Sequence, residues 1–163
     1  MSWDTYQRAI YLMEQYEEEC DFVGARSDEL ISKAEDALGF LFLPIYRDFL
    51  KKYGAGSFGS QEFYGVIDDD FKNSTVPDAI WCTLTEREDS NLPNHLLVIY
   101  DTGMGELICL DFKKINEVGE PQVVSYFPGF DLDKQDFTVV AHDFGDFLLD
   151  MVNRELSYGT NGG

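Results

Sequence analysis

Apolar residues in the first third of this 163-residue chain recur every three or four positions; past residue 95 they alternate or run on continuously. A helical period followed by a strand period confines the chain to folds that bring helices against a sheet. Between Trp3 and Phe22, the stripe Tyr6, Ile10, Met13, Tyr16 and Cys20 predicts an amphipathic helix. Its terminal acids, Glu17-Glu18-Glu19, oppose the macrodipole and predict fraying. A second helix follows Ser27, with Asp28 and Glu29 in its first turn, Leu30, Ile31, Ala34 and Leu38 inward, and Gly39 as its stop. Pro44 suits the first turn of a third helix, Ile45 to Tyr53, which Gly54 closes.

The period then changes. Glu62 to Ile67 reads as a strand and Asp68-Asp69-Asp70 as an exposed turn. Pro77 to Glu88 predicts a short helix with Ala79, Ile80, Thr83 and Leu84 inward. Strands follow at Leu96 to Tyr100, Glu106 to Phe112 and Gln122 to Phe127, joined by the turns Asp101 to Gly105 and Asn116 to Pro121. A last helix, Asp143 to Leu156, carries Phe144, Phe147, Leu148, Met151 and Val152 on one face. This order predicts one α+β domain over 1–157, an antiparallel sheet flanked by N-terminal helices and a C-terminal helix on one face and at its ends. Residues 158–163 are polar and glycine-rich, and are expected to form a disordered tail.

Charge limits the partners. Thirty-one Asp and Glu against 12 Lys and Arg leave −19. Nucleic acid and anionic membrane are both bound through basic groups, so neither is an expected direct partner. Disorder is the other outcome of high charge, but 24 aromatic residues supply too much apolar area for it. A cationic partner, a metal or solubility alone remain. The excess is uneven: residues 61–111 carry eleven acids and two bases, nearly half of the total.

Local chemistry offers less. Gly54-Ala55-Gly56-Ser57-Phe58-Gly59 spells the dinucleotide fingerprint, yet a helix leads into it and a strand leaves it, the reverse of what presents a helix N-terminus to a pyrophosphate. Asp131 begins a calcium-loop pattern that ends in Asp136 and His142 where Gly and Glu are needed. His142 and Asp146 share a helical spacing, with no third ligand in sequence, which favours a capping role over a metal site. Cys20, Cys82 and Cys109 are odd in number and widely spaced, which predicts reduced thiols and a cytoplasmic protein, and the residues around Trp3 lack the basic start and apolar stretch of a signal peptide, so none is expected. No serine or cysteine stands in a nucleophile motif, so neither an enzyme nor a cofactor is expected. Phe58, Phe63, Tyr64, Tyr126, Phe127 and Phe130 lie beside turns and are candidates for an exposed, interface-forming set.

The stretch Ser27 to Gly65 resembles the signature of the SUKH superfamily through Ala34-Glu35, Leu38-Gly39, Leu43-Pro44, Tyr46, Phe49-Leu50, Tyr53-Gly54, Gly56, Glu62 and Tyr64-Gly65. Leu96 to Phe112 is similar to the family's central hairpin and Val139 to Met151 to its closing helix. Tyr53-Gly54-Ala55-Gly56 departs from the Asn-Gly type of turn in many members, altering loop shape. The resemblance implies an immunity protein that neutralises a cognate toxin by stoichiometric binding. The implied partner is a cationic nuclease domain, an RNase of an LXG-type toxin.

A scaffold or regulatory module of the same superfamily is the alternative, and a small acidic hydrolase a third; a homodimer stays open. The family supplies no shared contact residues, so the charge distribution locates the expected toxin-binding set at Tyr64, Asp68, Asp69, Asp70, Glu86, Glu88 and Asp89.

Overall fold

The computed structural model describes residues 2–161, with side chains from 3 to 158. Helix α1 spans Ser2–Gln15, shorter than predicted. Glu17–Glu19 form a single 3-10 turn, and Cys20–Phe22 become strand β1. The acids that oppose the helix dipole end it, and the next three residues gain a ladder with Gly56–Phe58, strand β2. Helix α2, Asp28–Leu38, starts where Ser27 Oγ accepts the Leu30 N–H at 3.1 Å and stops at Gly39 with φ of 90°. Helix α3 spans Pro44–Lys52. Its N-cap, Leu43, has no acceptor side chain, and Glu120 supplies one from far along the chain, accepting the Ile45 N–H at 3.0 Å.

Strand β3, Gln61–Phe63, completes a three-stranded antiparallel sheet in the order β1-β2-β3. The strand predicted through Ile67 ends early because the backbone changes partners. Tyr64 N–H donates to Ile99 O at 2.9 Å, and Gly65 forms a parallel bridge with Asp78. That bridge leads into α4, Ala79–Asp89, capped by Asp78 Oδ1, which accepts from Ile80 N at 2.9 Å and Trp81 N at 3.0 Å.

The second sheet is antiparallel, ordered β4-β5-β6-β7: Leu96–Asp101, Leu107–Ile115, Pro121–Tyr126 and Val139–Ala141. Leu96 to Ile99 are fully buried in succession, so this sheet is covered on both faces, where the prediction had one. Thr83 Oγ1 of α4 accepts the Val98 N–H at 3.0 Å and pins helix to sheet. Helix α5 runs Phe144–Asn161. The tail expected at 158–163 is therefore helical backbone as far as Asn161, while Gly162 and Gly163 lie outside the described residues.

One core joins the layers. The rings of Tyr46 and Phe49 on α3 lie 5.1 and 5.2 Å from Phe144, and Phe49 lies 6.5 Å from Phe63. Several signature residues hold this arrangement. Glu35 is buried, and its Oε2 accepts from Phe42 N at 2.7 Å and Arg47 Nη1 at 3.0 Å, fixing the α2–α3 connection. A β-carbon on Gly65 would overlap the Gly54 carbonyl oxygen, so two family glycines mark a crossing of backbones.

Candidate protein-binding surface

Asp68, Asp69 and Asp70 lie exposed on the loop between β3 and α4. Short side-chain bonds shape the loop: Asp68 Oδ1 accepts from Asp70 N at 3.0 Å, and Asp70 Oδ1 accepts from Asn73 N at 3.1 Å. Asp69 turns outward to Lys33 Nζ of α2 at 3.2 Å, both side chains 61% exposed, an arrangement that solvent screens heavily. Glu88 and Asp89 are exposed in the last turn of α4. Helix α4, 11 residues long, separates the two acidic groups in the chain. Helix α2 runs beside it, reaching Asp69 through Lys33 and Arg87 through the Leu38 carbonyl.

One of the two bases between residues 61 and 111 turns away from the acids. Arg87 Nη2 donates to Leu38 O at 2.9 Å and Asn94 O at 3.0 Å, and its guanidinium packs over Phe40. Sequence reasoning missed this inward turn, because an arginine among glutamates reads as part of a solvated face. Lys72, the other base between 61 and 111, stays exposed on the acidic loop.

Two of the seven predicted contact residues stand apart from the rest. Tyr64 is 4% exposed, with its carbonyl accepting the Tyr46 hydroxyl at 2.9 Å, and offers no side-chain surface. It sits at the crossing between the sheets, where the apolar ring fills the core. Glu86 is half-buried and accepts from Ser90 Oγ at 2.7 Å. Of the aromatics beside turns, Phe58, Phe63 and Tyr126 are also buried; Phe127 and Phe130 are exposed.

The remaining motifs resolve into structure. Gly54 follows α3 and Gly56 opens β2, so the glycine run faces no helix N-terminus. His142, Asp143 and Asp146 bring their ligand-type atoms within 4.8 Å of one another, but all three serve the start of α5. Asp143 Oδ1 accepts from Asp146 N at 3.0 Å, Thr5 donates to Asp146, and Asn116 Nδ2 donates to His142 O at 2.9 Å. Glu117 lies 2.9 Å from His142 Nε2, and this contact, with Asp143, raises the imidazole pKa.

The fold defines a single α+β domain that exposes acidic residues on the β3–α4 loop and in the last turn of α4. The SUKH_5 family model, described as SMI1-KNR4 cell-wall, matches residues 7–153, and the chain belongs to that family. No curated protein matches the chain. Among the described residues no helix is long and apolar enough to cross a membrane.

Proposed function

We propose that this SUKH chain is an immunity protein, a cytoplasmic inhibitor that binds a cationic toxin nuclease stoichiometrically. The family match carries the reading; the run of residues also resembles YobK, the immunity partner of an LXG-type toxin, which favours an RNase domain as the target. Asp68, Asp69, Asp70, Glu88 and Asp89 are the proposed contacts, with Glu86 behind them. A nuclease gathers positive charge to hold phosphates, and an acidic surface competes for it or docks beside it. Placing acids at the C-terminus of α4, where they work against the helix dipole, costs the domain some stability and is consistent with selection for a partner.

An inhibitor without chemistry of its own fits the thiols. Burial pushes Cys82 up to about 12 and raises Cys109, and burial with the neighbouring glutamates raises Cys20, so none is poised as a thiolate. Co-expression with a toxin nuclease domain, should one be encoded beside the gene for this chain, tests the proposal. Survival with the chain and killing without it is the expected result; equal killing would rule the role out and leave the scaffold reading.

A further inference from the structure

We infer that a second surface, the groove between α5 and the β4–β5 hairpin, docks a basic amphipathic helix of a partner protein. The inference rests on the chain being a protein-binding module, but not on the partner being a nuclease.

The groove encloses about 670 Å³. Phe147, Asp150, Met151, Arg154 and Tyr158 form its long wall at helical spacings, giving three turns of α5 and about 16 Å of length. Thr102, Met104 and Glu106 of the hairpin form the opposite wall, and Tyr100 and Ile108 contribute apolar surface between them. Four apolar lining residues are unburied, Met104 at 87%, Tyr158 at 67%, Val140 at 42% and Phe127 at 39%, over a floor in which Ile108, Phe147 and Met151 are buried. Phe130 extends the patch, its ring edge-on to Phe127 at 6.0 Å. Scattered exposed apolar residues are ordinary, but a run of them along one groove marks an interaction site. An exposed methionine adapts its shape to a helix face.

Charge selects the occupant. Glu106 and Asp150 line the groove; the Tyr100 phenol pKa is raised first by burial, with Arg154 opposing the rise and Asp101 and Glu155 adding to it. Arg154 is the base among the lining residues, and it lies 3.4 Å from Asp150. A second copy of this chain would set acidic rim against acidic rim in a two-fold contact, on a molecule carrying −19. The edge strand beside the groove, β7, has three residues, a short template for a partner strand. A helix with apolar residues on one face and Lys or Arg on its flanks matches floor and rim together.

A synthetic peptide of about 18 residues, with Leu at helical spacing and Lys elsewhere, is the probe, against a scrambled peptide of the same composition. In a titration of the isotopically labelled full chain, amide shifts confined to α5, residues 101–108 and Phe127 are expected for the first peptide. Met104→Asp with Tyr158→Asp is expected to weaken its binding by about tenfold or more. Glu106→Lys with Asp150→Lys is expected to weaken it most at low salt. Equal binding by the scrambled peptide, shifts centred on Asp68–Asp70, or unchanged affinity in both variants would each overturn the inference. Peptide docking without protection from the toxin would leave the groove standing and sink the immunity role; protection without docking would do the opposite.

Discussion

Gly65 shows how much a single position carries. Its backbone needs no left-handed φ, yet the Gly54 carbonyl occupies the space of its side chain and accepts the Val66 N–H at 3.0 Å. Gly65→Ala is therefore expected to cost about 3 kcal/mol, read as a fall in the denaturation midpoint with an unchanged slope. Glu120 is the counterpart in charge. It is 3% exposed, and burial raises its carboxyl to about 7, against the Ile45 bond and with help from Asp143. Because the folded pKa lies above the unfolded one, the unfolded chain loses this proton first. Stability is then expected to fall as pH rises from about 4.5 to 7 and to level off beyond it. Glu120→Gln keeps an acceptor for Ile45 and should flatten that slope, gaining about 1–3 kcal/mol at pH 8 in urea titrations. Gly54 was legible as a helix stop, Gly65 as a letter of the family signature inside a predicted strand, and Glu120 as an acid in a turn. Their contacts were not, since Glu120 and Ile45 meet only after the β5–β6 turn folds under α3.

At the scale of elements, legibility followed capping and length. Helices α2 and α3 lie close to where Ser27, Gly39, Pro44 and Gly54 place them, because those residues act locally on unpaired backbone groups. Strands β1, β2 and β7 have three residues each, too few to display a period, and exist by virtue of the strands they pair with. Helix α4 combines a strong start with a weak end. Asp78 caps it with two hydrogen bonds, whereas Glu86, Glu88 and Asp89 crowd its C-terminus with Arg87 turned inward. Glu88→Lys with Asp89→Lys is expected to raise stability by about 0.3–1 kcal/mol, visible as a higher melting temperature at low salt. The same change is expected to weaken partner binding, a trade that a purely structural role for these acids would not show.

For the molecule as a whole, the charge excess and its concentration between 61 and 111 were readable from the sequence. Which charged side chains turn outward was not, because Glu86 and Arg87 differ from their neighbours only in the direction that folding gives them. The groove was still less visible, since its lining comes from two turns, four strands and a helix separated in the chain. If the acidic face steers encounter with a cationic nuclease, its charge acts mainly on the association rate. The decisive measurement is stopped-flow association with the toxin domain over a range of ionic strength. The wild type is compared with a variant carrying Asp68→Asn, Asp69→Lys, Asp70→Asn, Glu88→Lys and Asp89→Lys, in which the asparagines preserve the loop's acceptors. Association slowed by about ten- to a hundredfold at low salt, with a flatter salt dependence, is the predicted result; an unchanged rate and slope would contradict the account.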